Sequence, residues 1–239
     1  MDKPLDILAF APHPDDVELA CGGSLILASD KGWRVGVADL TEGEKSSRGN
    51  PELRLQEKAQ ATELLGLTVR VNAGLPDGSI GTHADHRLPV IQLIRQWRPR
   101  IVLAPYWEDR HPDHARASTL VRDACHLSGI GKIGEGKPYR PEQLIYYMLR
   151  IPLSPSFIMD VSSVWERRME AVRAYKSQFL TQASGVDTTL TSPSFLRALE
   201  ARAIWYGWQI QTTYGEPFLN AAPPAAQDFP GLSRESDLS

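Results

Sequence analysis

The sequence predicts an α/β protein built on a mostly parallel, Rossmann-like sheet with helices on both faces. Strand-like runs and helical patterns alternate from Leu5 to Leu127 with short connections, the order that implies parallel pairing through helical crossovers. The strand-like runs are continuously apolar, as strands covered on both faces are, where a half-exposed strand alternates. Right-handed crossovers then fix the winding.

The elements follow in order. Leu5–Ala11 is an apolar run ending at Pro12, a first strand. Gly22-Gly23 opens a short helix over Ser24–Lys31, stopped by Gly32. Trp33–Leu40 is a second strand and Thr41–Asn50 a polar loop. Pro51 suits a first helical position, and Glu52–Leu65 keeps a helical apolar pattern until Gly66. Leu67–Val71 is a third strand, Asn72–Gly81 a second polar loop, His86–Trp97 a helix and Arg100–Ala104 a fourth strand. His114–Leu127 is a helix, and Ser128–Pro141, rich in Gly, Lys and Pro, an exposed loop. Leu144–Leu149 and Phe157–Val161 read as strands, and Val164–Phe179 and Ser194–Thr212 as amphipathic helices. Residues 1–220 form one domain in this reading, and 221–239, with little apolar patterning, a flexible tail.

With 42% hydrophobic and 23% charged residues the chain can bury its own core. A net charge of −3 without a basic stripe argues against nucleic acid as a partner and for a small-molecule substrate. Two separated cysteines, Cys21 and Cys125, make no disulfide framework. No apolar stretch is long enough for a secretory leader core or a membrane span, so the expected location is cytoplasmic.

In open α/β sheets, sites form beyond the carboxyl ends of the strands where strand order reverses. In the common winding, strands 1 and 4 flank that point. The segment after strand 1 reads His13-Pro14-Asp15-Asp16, and the segment after strand 4 reads Asp109-Arg110-His111-Pro112-Asp113-His114. Either motif alone is equally readable as a capped helix start. Together they bring two histidines and a carboxylate, His13, His114 and Asp16, to one crevice. That is a frequent catalytic zinc set with a coordination place left over. Fe(II), Mn(II) or Co(II) can occupy such a set as well. Asp15, beside a ligand, is the natural base. His111 is placed to meet charge developing on a carbonyl oxygen, and Asp113 to bond one of the imidazoles.

These motifs make the sequence similar to the PIG-L, or LmbE-like, de-N-acetylases over about its first 215 residues. Further pointers, Thr41-Glu42-Gly43-Glu44, Arg48-Gly49, Leu53-Arg54 with Glu57, Leu75-Pro76-Asp77-Gly78 and Tyr175-Lys176-Ser177-Gln178-Phe179, resemble the bacillithiol-pathway deacetylases of N-acetylglucosaminyl malate. One departure is Pro12 between Ala11 and His13, where many relatives carry Ala directly before His. The resemblance implies His13, Asp16 and His114 as metal ligands and Asp15 as the base that returns its proton to the leaving amine. It implies His111 with Asp113 at the oxyanion, and Arg54 and Arg110 at the sugar or its aglycone.

Arg48 and Arg54 are further candidates for a dicarboxylate, since a guanidinium binds carboxylates in bidentate fashion. Glu44 and Asp77 stand in loops on the same face and suit either sugar hydroxyls or turn formation. His83 and His86 read as a helix-start feature outside the site. Trp205, Tyr206 and Trp208 read as core or subunit contact, and a homo-oligomer is expected. Same-class alternatives are deacetylation of a sugar–inositol, a chitooligosaccharide or an antibiotic precursor. A different class is a silent metal-containing binding protein. No GxGxxG follows strand 1, which disfavours a dinucleotide dehydrogenase.

Overall fold

The structure is a computed structural model that describes residues 3–179, 186–220 and 222–223. The expected tail, save residues 222 and 223, lies outside them. Seven strands form one sheet: β1 Ile7–Ala11, β2 Val35–Asp39, β3 Val69–Asn72, β4 Ile101–Pro105, β5 Gln143–Tyr147, β6 Phe157–Asp160 and β7 Gly215–Asn220. Their order is β3-β2-β1-β4-β5-β7-β6. The first five are parallel, and β7 runs antiparallel to both β5 and β6. The helices are α1 Asp16–Asp30, α2 Pro51–Leu65, α3 Arg87–Trp97, α4 Pro112–Leu127, α5 Trp165–Arg173, α6 Lys176–Phe179 and α7 Pro193–Gln209. None of them is long and apolar enough to cross a membrane.

The continuous apolar strands split their side chains by parity. Leu8 and Phe10 of β1 point to the core under α3 and α4, with Val90, Ile94, Leu120 and Val121. Ile7, Ala9 and Ala11 point the other way, to α1 residues Val17, Cys21 and Leu25. A third cluster joins α1 and α2 to α5 and α7 through Ile26, Leu65, Trp165 and Leu199. Truncating a fully buried residue such as Leu8 to Ala costs about 2–5 kcal/mol in such a core. Helix α2 is bounded as its sequence requires. The Asn50 side chain accepts from the Leu53 N–H at 2.8 Å, and Gly66 takes the left-handed φ of 68° that ends the helix.

Three expectations change. Helix α1 begins at Asp16, eight residues before Ser24, and Gly22-Gly23 lies inside it. The sequence signal was real but marked a kink. Cys21 departs from helical angles at φ −140°, and the Gly23 and Ser24 N–H groups donate to the Glu216 carboxylate at 2.9 and 2.8 Å. A Cβ on Gly23 would stand 2.8 Å from Val161, so glycine is needed for this close approach. The helix expected over Val164–Phe179 is broken after Arg173. The Ser177 N–H that would continue the ladder is taken by Glu57 Oε1 at 2.7 Å, and the hydroxyl by Oε2 at 2.7 Å. Strand β7, unread in the sequence, lies between β5 and the edge strand β6 and runs antiparallel to both. On α7, Tyr206 is buried, while Trp205 and Trp208 are exposed.

Candidate active site

Strands β1 and β4 pair in parallel register, Ala9 beside Leu103, so their carboxyl ends open on one crevice. His13 leaves β1, and Asp16 is the first residue of α1. The Asp16 Oδ2 atom accepts from the His13 N–H at 2.9 Å and lies 3.2 Å from His13 Nδ1 and 3.4 Å from His114 Nε2. His114 sits in the first turn of α4. One ligand-capable atom from each of the three lies within 4.8 Å of the others.

Each imidazole turns its other nitrogen to a carboxylate. His13 Nε2 is 3.1 Å from Asp77 Oδ1 and 3.5 Å from Asp113 Oδ2. His114 Nδ1 is buried without a hydrogen bond, 3.3 Å from Asp109 Oδ1. That outer acid is the usual device for orienting a metal-ligating histidine. A second triplet, His13, His111 and Asp113, meets the same spacing. Asp113 suits it poorly, because its oxygens already accept from the Gly78 N–H at 2.7 Å and the Ile80 N–H at 3.3 Å.

The charge balance fits a cation. Burial alone would lower the pKa of His13, but Asp113, Asp16 and Asp77 outweigh it and raise it to about 12. His114 shows the same contest, with Asp16 and Asp109 lifting it to about 9. Asp77, bonded to His13 and to the Lys45 N–H at 2.9 Å, is lowered to about 2. The carboxylates around the two rings thus favour positive charge at this point. A divalent cation on Nδ1, Oδ2 and Nε2 satisfies the same demand with a donor set suited to it.

Asp15 is buried at the head of α1 with φ 115°, a left-handed conformation costing roughly 1–3 kcal/mol for a residue with a side chain. Burial and the neighbouring Asp16 charge raise its pKa to about 7, against the opposing pull of Arg54 and His13. A carboxylate poised there can take up and return a proton near neutrality.

His111 caps α4. Its Nδ1 accepts from the Asp113 N–H at 3.2 Å, which places the ring proton on Nε2. Burial, then the His114 and His13 charges, lower its pKa, which favours the neutral ring. The ring stacks on His114 with centroids 4.6 Å apart. In this capped, neutral tautomer the ring is still a donor through Nε2. Asp113 therefore reaches His111 through its backbone, while its carboxylate faces His13.

A cavity of about 420 Å³ is lined by His13, Asp15, Asp16, His111, His114, Arg54 and Asp77. Arg54 donates Nη1 to the Gly43 carbonyl at 3.0 Å, and its buried Nε has no hydrogen-bond partner among the described residues. Arg48 is turned inward, with Nε on the Ser177 carbonyl at 3.0 Å and Nη1 on the Val186 carbonyl at 3.1 Å. Glu44 accepts from the Asp77 N–H at 2.8 Å and so holds the Asp77 loop. Arg110 is exposed and stands outside the cavity lining. His83 and His86 stay apart from the site, their rings 5.4 Å from each other.

Sequence reasoning passed over two residues. Asp109 stands 3.3 Å from His114 Nδ1 and accepts from the His111 N–H at 2.8 Å and the Arg150 N–H at 3.2 Å. Arg150, three residues past the end of β5, lines the cavity. Both lie at strand ends on the active edge, which was the available signal. Beneath the site, Arg70 grips Asp39 at 2.9 and 2.8 Å and Glu18 at 2.6 Å, tying α1 to β2 and β3.

Residues 8–125 match the family model described as PIG-L: GlcNAc-PI de-N-acetylase. Over 189 residues the chain is 29% identical to diacetylchitobiose deacetylase of Thermococcus kodakarensis, covering 72% of this chain and 70% of that protein. It is 26% identical over 223 residues to a probable N-acetyl-alpha-D-glucosaminyl L-malate deacetylase 2 of Bacillus cereus, covering 85% and 98%. The crystal structure of the conserved protein TT1542 from Thermus thermophilus superposes with a TM-score of 0.85 at 41% identity, covering 93% of this chain and 97% of that one. With both motifs in place, the chain belongs to the PIG-L family.

Proposed function

We propose that this chain is a metal-dependent hydrolase that removes the acetyl group from a small N-acetylated amino-sugar conjugate. The observation that carries the reading is one cavity lined at once by the His13–Asp16–His114 donor set, by Asp15 with its pKa raised to about 7, and by His111 as a neutral donor. Zinc is the assigned metal, with Fe(II), Mn(II) and Co(II) as chemically acceptable substitutes. It would be held by His13, Asp16 and His114, and would supply Lewis acidity toward an amide carbonyl and toward water.

The remaining work falls to the chain's own groups. Asp15 takes a proton from the attacking water and delivers it to the amide nitrogen as the carbon–nitrogen bond breaks. The Nε2–H of His111 donates to the carbonyl oxygen as it gains negative charge. Asp77 and Asp113 hold the His13 ring, and Asp109 the His114 ring. Arg54 and Arg150 offer guanidinium groups to the rest of the substrate. The products are acetate and a free amino sugar.

For the substrate we assign N-acetylglucosaminyl malate, supported by similarity to malate-conjugate deacetylases over nearly their whole length and by two arginines lining the cavity. Diacetylchitobiose is the second reading, supported by the similarity to the archaeal enzyme. Acetate release from both compounds, with metal-loaded and chelator-treated protein side by side, tests the assignment. Metal-dependent release from the malate conjugate alone supports it. Preferential release from the disaccharide replaces the substrate and keeps the reaction. Stoichiometric metal with no acetate from either refutes the hydrolase reading in favour of a binding protein.

A further inference from the structure

A second cavity, of about 430 Å³, lies along α4 on the other side of its first turn. It is lined by His83, Arg87, Trp107, Arg116 and Asp123. It borders the catalytic site closely. Gly81 lies three residues from Gly78 of the catalytic cavity, and Ala115 one helical turn from His111.

Its chemistry differs from that of the catalytic cavity, where Asp15, Asp16 and Asp77 gather around three histidines. The guanidinium groups of Arg87, half-buried, and Arg116, exposed, have no hydrogen bond or ion pair with any described residue. The carboxylate lining the cavity, Asp123, is engaged by Arg122 at 3.0 Å. Trp107 is 43% exposed, yet its indole is held at a fixed angle by Tyr106 and Tyr146, with centroids 4.5 and 5.0 Å away. Two arginines without a protein partner among the described residues, lining one cavity with a braced aromatic, are the complement of an anion carried on a flat or ring-shaped body.

We propose that this cavity is an anion subsite that takes a carboxylate or phosphate group through Arg87 and Arg116, with Trp107 packing against the body that carries it. The anion arrives either as the far end of the substrate cleaved next door or as a free small anion. The substrate-borne source rests on the deacetylase reading, whereas anion binding itself does not.

The test compares wild type, R87A/R116A, R87K/R116K and W107F, each checked for native circular dichroism and metal content. Inorganic phosphate is titrated against the metal-loaded proteins by phosphorus-31 line width. Wild type should bind it, the alanine pair should bind it about tenfold more weakly, and the lysine pair should recover part of that loss. KM and kcat are then measured on N-acetylglucosaminyl malate and on neutral diacetylchitobiose. A KM raised about tenfold for the acidic conjugate alone, with kcat kept, assigns the anion to the substrate. Weaker phosphate binding with both KM values unchanged assigns it to a free anion. Absence of turnover on both sugars refutes the deacetylase reading and leaves the phosphate result to decide the subsite. Phosphate binding that is absent in wild type, or equal in wild type and the alanine pair, overturns the proposal.

Discussion

Asp77 Oδ1 stands 3.1 Å from Nε2 of His13, while Nδ1 of the same ring faces Asp16. The two carboxylates therefore grip one imidazole from its two nitrogens, and Nδ1 is the one that faces Asp16 of the proposed donor set. Asp77 itself is fixed by the Lys45 N–H, and its own N–H by Glu44. Asp77→Asn keeps the shape but removes the charge that makes His13 a strong donor. Metal affinity should fall about 10–100-fold, measured by competition with a chromogenic chelator. Unchanged affinity would return Asp77 to the role of sugar-hydroxyl acceptor that its loop position also suggested.

The two histidines of the proposed donor set should make metal binding depend on pH in a definite direction. His13 and His114 are raised to about 12 and about 9, so both carry a proton at pH 7 in the metal-free protein. A metal needs both rings neutral, so loading should release about two protons and strengthen as pH rises. Calorimetry in buffers of different ionisation enthalpy counts those protons. Stability runs the other way without metal. The folded pKa values lie above the unfolded one near 6.5, so the stabilisation is complete below that pH and is lost as pH rises through about 9 and then about 12. Thermal melts of chelated protein should therefore fall between pH 7 and 10, and those of the loaded protein should fall less.

In the proposed mechanism Asp15 separates catalysis from metal binding. Its carboxylate lies outside the triplet of donor atoms, its pKa is raised to about 7, and its left-handed backbone is one that Asn accepts readily. Asp15→Asn should retain stoichiometric metal and near-native stability while turnover drops at least about 10²–10⁴-fold. Asp15→Ala should retain metal and lose turnover likewise, with an added backbone cost. An active Asp15→Asn protein would remove the base from the mechanism.

How much of this was legible depended on the range of the interaction. The parallel sheet was written in continuous apolar runs, and the crevice followed from the strand order that such a sheet adopts. The residues that the motifs bring to the crevice, His13, Asp15, Asp16, His111, Asp113 and His114, were therefore nameable as candidates from the sequence alone. Residues whose role depends on distant partners were not. Arg48 looked like a substrate arginine, but its donors are taken by carbonyls 129 and 138 residues away in sequence. The break before α6 needed Glu57, 120 residues upstream of Ser177. Arg110 sits inside the motif yet points to solvent, whereas Arg150, arriving from β5, lines the cavity.

The longest-range of these contacts makes the last prediction. Glu216, on the strand the sequence did not reveal, caps the Gly23 and Ser24 N–H groups, accepts from the Ser24 hydroxyl at 2.7 Å and lies 3.2 Å from Arg168 Nε. Arg168 is fully buried and donates onward to the Leu19 carbonyl at 2.6 Å, on the turn of α1 that follows Asp16. Removing the carboxylate leaves a buried guanidinium and two helix N–H groups without their acceptor. Glu216→Ala should cost about 3–5 kcal/mol, read as a lowered urea midpoint. Because the same kink sets the direction of the first turn of α1, the folded fraction should also bind metal more weakly, although Glu216 touches no ligand. Glu216→Gln keeps an acceptor for one N–H and should fall between the two. A destabilised Glu216→Ala protein with wild-type metal affinity would show that Asp16 is positioned by the β1–α1 turn alone, through the bond from its Oδ2 to the His13 N–H.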